Sequence, residues 1–302
     1  MKIAVSGASG LLGSELVPAF RERGHEVVRL VRREALTPDE VEWDPARGAI
    51  DRARLAGVDA LVNVSGASLD RRWTENRKRE IVESRIGTTS LLAATAVELD
   101  PRPSVLLCTG GTGIYGNRGD EILTEESEPG SGFLAELAQQ WEAASQPARE
   151  AGVRVVHFRQ GMVLTREGGA LPRMLTFFKL GLGGPVGGGR QWWSWVSIAD
   201  LVSAYAFALE SDISGAVNLA APAPVTSHHF ARALGRAIRR PAVLPAPALG
   251  IKLLWGQMGE EVLLFGQRSL PARLLDAGFA FRYAELDAAL AHALATERVD
   301  AA

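Results

Sequence analysis

The stretch Ile3-Ala-Val-Ser6-Gly7-Ala-Ser-Gly10-Leu-Leu-Gly13-Ser-Glu-Leu16-Val-Pro-Ala-Phe20 carries the reading of the whole chain. Ile3–Ser6 is a short apolar run of strand type, and Leu12, Leu16, Val17 and Phe20 recur at helical spacing until Gly24, a C-cap residue type. Between them stand three glycines spaced Gly-x-x-Gly-x-x-Gly. The first permits a tight turn, the second lets backbone approach a pyrophosphate, and the third lets the helix pack on the strand. Unpaired N–H groups at the helix start then bind phosphate. The expected dinucleotide contacts are Gly7, Ser9, Gly10, Leu11, Leu12 and Gly13; a purely structural turn is the plainer alternative.

Outward from this unit, strands and helices alternate. Val27–Val31, a short Val41–Trp43, the apolar run Val58–Val64, Val105–Thr109 and Val153–Phe158 read as strands. Thr74–Leu99 and a segment near Leu134–Glu150 read as helices. This order predicts an α/β fold, a Rossmann-type doubly wound parallel sheet whose ligands sit outside the carboxyl ends of the strands. Residues 1–165, with a returning segment about 196–220, form the expected core. Residues 166–195 and 221–302 form a smaller, mainly helical C-terminal lobe.

Composition narrows the partners. The net charge is −2, from 33 basic and 35 acidic residues, so no global field argues for nucleic acid or membrane. No stretch approaches the about 20 uninterrupted apolar residues of a membrane span. The chain starts on a strand, not a leader, and a cytoplasmic location is expected. Cys108 is the single cysteine, which excludes an internal disulfide; it reads as buried filler. His25 and His157 read as packed or surface histidines. His228-His229 lack a third metal ligand.

The end of the second strand selects the cofactor. An acidic residue there would bind the ribose 2′-hydroxyl of NAD; Val31-Arg32-Arg33 stands instead. A guanidinium suits a 2′-phosphate, so NADP is expected, with Arg32 the better candidate because it follows the strand directly. Arg85 falls in the inward stripe Ile81, Val82, Thr89, Leu92 of the long helix. A charge on an inner face needs a partner, either Glu80 or Glu83 or a ligand. Arg159 follows Val153–Phe158 and so sits at the carboxyl edge of the sheet. Ser65-Gly66 after Val58–Val64 either approaches the adenine-side ribose or makes a plain turn.

Asn63-Val-Ser-Gly66 and Tyr115-Gly116, with the glycine spacing, resemble the extended short-chain dehydrogenase/reductase superfamily. Arg72-Trp-Thr-Glu75, Ser84-Arg-Ile86, Gly181-Leu-Gly-Gly-Pro185 and Gly189-Arg-Gln-Trp192 resemble one atypical branch of it, the epimerase-family or sugar nucleotide epimerase-like proteins. So do Gly266-Gln-Arg268, Leu270-Pro271, Leu274-Leu275, Gly278-Phe279 and Phe281-Arg-Tyr283 in the tail. The resemblance runs end to end. It implies NADP contacts from Gly7, Gly10, Gly13, Arg32, Val64, Ser65, Glu80, Arg85 and Arg159, and a loosely defined oxidoreductase or epimerase activity.

The superfamily's proton-transfer pair is missing. Only Tyr115, Tyr205 and Tyr283 exist, and Gly119, Leu209 and Asp287 stand four residues beyond them, so no Tyr-x-x-x-Lys occurs. On the helix that should carry it, Phe133 or Leu134 takes the Tyr place and Leu137 or Ala138 the Lys place. Gly110 stands where the superfamily has Ser, in Cys108-Thr-Gly-Gly-Thr112. Thr109, Thr112 and Tyr115 are the remaining catalytic candidates. Two functions are expected: an NADP(H)-binding oxidoreductase or epimerase-like protein acting on a small polar substrate such as a sugar nucleotide, or an NADP(H)-binding regulatory or interaction protein that has lost catalysis.

In the second lobe, Val196–Leu209 reads as a helix and Val217–Leu219 as a returning strand. The glycine-rich loop Gly181–Gly189 beside Trp192, Trp193 and Trp195 either closes over a substrate or packs an interlobe core. Thr296–Ala302 reads as a frayed end.

Overall fold

In the computed structural model residues 1–295 are described, so the reading of Thr296–Ala302 lies outside the described residues. Eight strands form one sheet: β1 (Lys2–Ser6), β2 (Glu26–Val31), β3 (Glu40–Asp44), β4 (Ala49–Ile50), β5 (Ala60–Asn63), β6 (Val105–Gly111), β7 (Arg154–Gln160) and β8 (Gly215–Leu219). Their order is β8-β7-β6-β5-β1-β2-β3-β4, and only the β3–β4 pair is antiparallel. The order reverses at β1, where Ser6 pairs with Asn63 of β5. A crevice at such a switch point is where the fold receives ligands.

Period-two alternation splits the core into two layers. Ile3 and Val5 of β1 pack with Leu16 and Phe20 of α1 (Gly13–Glu22) on one face. Ala4 faces the other, with Leu61, Leu106 and Leu92 of α2 (Glu75–Glu98). Thr74 caps α2 by accepting from the amide of Arg77. The segment expected as one helix near Leu134–Glu150 is two, α3 (Phe133–Ala143) and α4 (Gln146–Glu150). Pro147 has no N–H with which to continue the ladder.

A third apolar cluster lies outside the sheet. It joins α5 (Ala170–Lys179), through Leu171, Leu175 and Phe178, to Trp193, Trp195 and Phe230 of the second lobe. The helical pattern of Val196–Leu209, expected to begin near Ser197, is α6 (Ile198–Glu210), which Ser197 caps by accepting from the Asp200 amide. Val196 instead pairs in parallel with Val163. The returning β8 then adds to the sheet beside β7.

The loop Gly181–Gly189 is tied down, not free to close. The Leu244 amide donates to Gly183, that of Ala246 to Pro185 and that of Gly187 to Ala246. A Cβ on Gly184 would stand 2.0 Å from the Leu244 carbonyl oxygen, so glycine is required there for close backbone approach. Trp193 and Trp195 are buried in the lobe core, which favours the packing alternative. Trp192 donates to Asp120 and lies under Arg268.

Candidate functional site

The turn between β1 and α1 has the geometry its glycines promise. Gly7 has φ +69°, and a Cβ there would lie 2.8 Å from the Val64 carbonyl oxygen at the end of β5. A Cβ on Gly13 would lie 2.2 Å from the Gly7 carbonyl oxygen, so α1 can begin against the turn only without one. No side chain caps α1, and the amides of Ser9, Leu11 and Leu12 find no acceptor among the described residues. A row of unpaired donors at a helix start favours an anion.

The adjoining wall holds an unpaired charge. Gly7 abuts Val64-Ser65, and the next residue, Gly66, abuts Arg85. Arg85 is 8% exposed; its guanidinium donates once, to the Ile81 carbonyl at 3.2 Å, and lies 5.2 Å from the Trp141 ring centroid. No carboxylate reaches it. Glu80 is exposed and pairs with Arg77, and Glu83 is exposed, so neither structural partner expected for Arg85 is used. Burial and the neighbouring Arg77 charge lower the Arg85 pKa to about 10. A buried cation without a counter-ion is costly unless a ligand supplies one.

Asn63, Thr89 and Trp141 hold this wall, and single-residue reasoning had not assigned them roles. Ser6 donates to Asn63 at 2.7 Å, Asn63 donates to Thr89 at 2.9 Å, and Trp141 donates to Thr89 at 2.8 Å. The polar Asn63 inside an apolar strand is the one sequence signal of that relay.

At the end of β2 the two arginines part. Arg33 forms a two-pronged pair with buried Glu40, at 2.9 and 2.6 Å, and Arg29 also reaches Glu40 at 3.1 Å. These partners hold the Glu40 carboxyl down to about 2, the hydrogen bond from Arg33 being the largest cause. Arg32 is exposed and has no side-chain partner among the described residues.

Two expected residues are engaged elsewhere. β7 extends to Gln160, so Arg159 lies inside the strand and not after it. It pairs with Glu142 of α3 at 2.8 and 3.0 Å and donates to Tyr115 at 3.0 Å. Its donors serve an interior network, and its expected place after the strand is corrected to one inside it. Tyr115 is fully buried; its hydroxyl has Thr124 O at 2.9 Å and Asn218 Oδ1 at 2.7 Å as acceptors. Burial raises its pKa against the pull of Arg159. The structure thus places this hydroxyl in an internal network with Asn218 and Arg159, not free at the strand end.

Thr109 and Thr112 lie at the end of β6, both buried. Thr109 lies near Tyr205, whose hydroxyl accepts from Gln160 at 2.9 Å. Thr112 has no side-chain hydrogen bond among the described residues. Of the two helix registers, Leu134 faces this strand end: a Cβ on Gly113 would lie 3.0 Å from the Leu134 Cβ. Phe133 turns away to stack on Trp73, ring centroids 5.0 Å apart. Cys108 is buried filler, its thiol pushed up by burial.

The C-terminal lobe reaches into this site. Buried Glu261 accepts from the amides of Phe133 at 3.0 Å and Leu134 at 2.8 Å, capping α3 from more than 120 residues away in sequence. Gln257 donates to the same carboxylate at 2.7 Å.

A family model described as the NAD dependent epimerase/dehydratase family matches residues 3–220. The chain belongs to that family. A second model, described as a domain of unknown function (DUF1731), matches residues 246–293, which include Glu261. This epimerase-family chain is 41% identical over 293 residues to epimerase family protein MT2273 of Mycobacterium tuberculosis, covering 96% of this chain and 97% of that protein. It is similar to the crystal structure of human epimerase family protein SDR39U1 with NADPH: TM-score 0.89, 34% identity, 98% of this chain and 100% of that one. A nucleoside-diphosphate sugar epimerase from Corynebacterium glutamicum matches with TM-score 0.81 and 36% identity, over 97% of this chain and 58% of that chain. The Rossmann-type fold with a C-terminal lobe is thus the family's own. Among the described residues no helix is long and apolar enough to cross a membrane.

Proposed function

We propose that this chain is a cytoplasmic NADP(H)-dependent oxidoreductase or epimerase-like enzyme acting on a small polar substrate, with sugar nucleotides the first class to test. One observation carries the cofactor reading: Arg85 is buried beside Gly66 with no carboxylate partner, next to a turn of unpaired amides. Both features call for the same polyanion. The NADPH named with the human relative supports the choice, and the sugar epimerase named among the relatives supports the substrate class.

Bound NADPH supplies hydride. In this reading the residues of the chain divide the remaining work. Gly7, Ser9, Gly10, Leu11, Leu12 and Gly13 cradle the pyrophosphate and Arg85 neutralises it. Val64, Ser65 and Gly66 form the adjoining wall, with Glu80 at its rim. Exposed Arg32 takes the 2′-phosphate. Thr112, a hydroxyl with no side-chain partner among the described residues, stands at the end of β6 and donates a hydrogen bond to the substrate oxygen.

NADPH fluorescence titration tests the reading. Saturable binding is expected, weakened about tenfold or more in Arg85→Ala, the worth of one charge-assisted hydrogen bond. Absence of saturable binding sinks it. Cofactor oxidation is then followed over a panel of carbonyls and nucleotide sugars; binding with no turnover on any of them removes the enzymatic half.

A further inference from the structure

Acidic residues are distributed unevenly along this chain. Residues 168–199 and 213–259 contain no Asp or Glu, yet hold Arg173, Lys179, Arg190, Arg232, Arg236, Arg239, Arg240 and Lys252. In a protein of net charge −2 that is a strong local asymmetry. The two segments meet in space, joined by the hydrogen bonds from Leu244 to Gly183 and from Ala246 to Pro185. Some of these cations are answered from outside: Arg173 by Asp70, Arg236 by Asp287 and Lys252 by Glu260. Lys179, Arg190, Arg232, Arg239 and Arg240 are exposed and have no side-chain partner among the described residues. Arg232 and Arg236 stand one turn apart on α7 (Ser227–Ala237), and with Arg239, Arg240 and Val243 they line one groove.

The same segments hold most of the exposed apolar bulk. Of the thirteen large apolar side chains exposed among the described residues, eight lie here. Phe177, Leu180 and Leu182 follow one another from the end of α5 into the glycine loop, and the backbone of Leu244, next to Val243, lies against that loop. On α8 (Ala248–Trp255), Leu249, Leu253 and Leu254 are 71%, 68% and 67% exposed, while Ile251 alone is buried. Soluble monomers rarely show such a patch without a partner for it.

We propose that this face of the C-terminal lobe docks on a bilayer surface containing anionic phospholipid, the leucines entering the headgroup boundary and the arginines pairing with phosphate. Exposed cations in excess of the carboxylates that reach them, interspersed with exposed aliphatic side chains, are what an anionic interface attracts. A second copy fits poorly, because a two-fold pairing of this face sets unpaired arginines against unpaired arginines. Nucleic acid would use the charge and leave the leucines in water. Arg72, just before α2, donates to the Leu253 carbonyl at 3.1 Å and so ties α8 to the Rossmann core.

The test is co-sedimentation of the full chain with phosphatidylcholine vesicles, with and without phosphatidylglycerol. Binding is expected only with phosphatidylglycerol, and is expected to fall as salt is raised. The double variants Arg239→Glu/Arg240→Glu and Leu249→Ser/Leu253→Ser should each lower partitioning about tenfold or more. All four positions are exposed, so NADPH binding should be kept. Binding that ignores phosphatidylglycerol, or that survives in both double variants, overturns the proposal. So does a solution dimer that Leu249→Ser/Leu253→Ser dissolves, which would assign the face to a second copy.

Discussion

Arg85 lies against Gly66 so closely that a Cβ added at Gly66 would stand 3.2 Å from the guanidinium carbon. The Trp141 ring, 5.2 Å from that carbon, stacks with the same group. Gly66→Ala should therefore push the guanidinium out of place without straining the backbone. NADPH affinity is expected to fall about threefold to tenfold, with unfolding free energy unchanged within about 1 kcal/mol. Calorimetric titration beside urea unfolding measures both. A stability loss with intact affinity would mean that Gly66 serves the turn and not the ligand.

Arg32 and Arg33 are neighbours with opposite commitments. Arg32→Ala should weaken NADPH about tenfold or more while leaving NADH nearly untouched, because only NADPH carries the 2′-phosphate. Arg33→Ala should leave that discrimination alone and disturb the Glu40 cluster instead. Dissociation constants for both cofactors on both variants decide the matter. Equal losses for NADPH and NADH in Arg32→Ala would exclude Arg32 as the reader of the phosphate.

The Arg159–Glu142 pair belongs to the scaffold. Arg159→Met should cost of order 3 kcal/mol of stability, since a carboxylate is left without its partner. Tyr115→Phe should cost about 1–2 kcal/mol, by leaving the Arg159 and Asn218 groups short of a hydroxyl. NADPH affinity should stay within about twofold in Tyr115→Phe. A large affinity loss at unchanged stability would return Arg159 to the cofactor site.

His157 gives stability a pH dependence. It is buried, bonded to Ser145 at 2.7 Å, and desolvation lowers its pKa to about 4. The folded state thus refuses a proton that the unfolded state accepts below about 6.5. Stability should be full above that pH and fall as pH drops from about 6.5 towards 4, by up to about 1.4 kcal/mol per unit. Urea denaturation across that window measures the slope, and His157→Gln should flatten it. An unchanged slope in the variant would place the titration elsewhere.

The parts of the site legible in advance are those with a local cause. Gly7, Gly10 and Gly13 are needed by the turn they occupy, and Arg85 shows through its place in an apolar stripe. Arg159 was misplaced because the strand runs one residue past it, and alternation then aims its side chain at α3. Tyr115 looked available because nothing local announces Asn218, which meets it from more than 100 residues away. Glu261 was invisible for the same reason: a carboxylate capping a distant helix leaves no periodic trace.

By itself the sequence determined the doubly wound sheet, the glycine turn and the absence of any Tyr-x-x-x-Lys pair, since spacing and enumeration depend only on order along the chain. Tertiary structure decided which charges are free. Arg33 and Arg159 found carboxylates, while Arg32 and Arg85 did not. That difference comes from which side chains folding brings within a few ångströms, and it is what leaves Arg32 and Arg85 available to a ligand in the function proposed above.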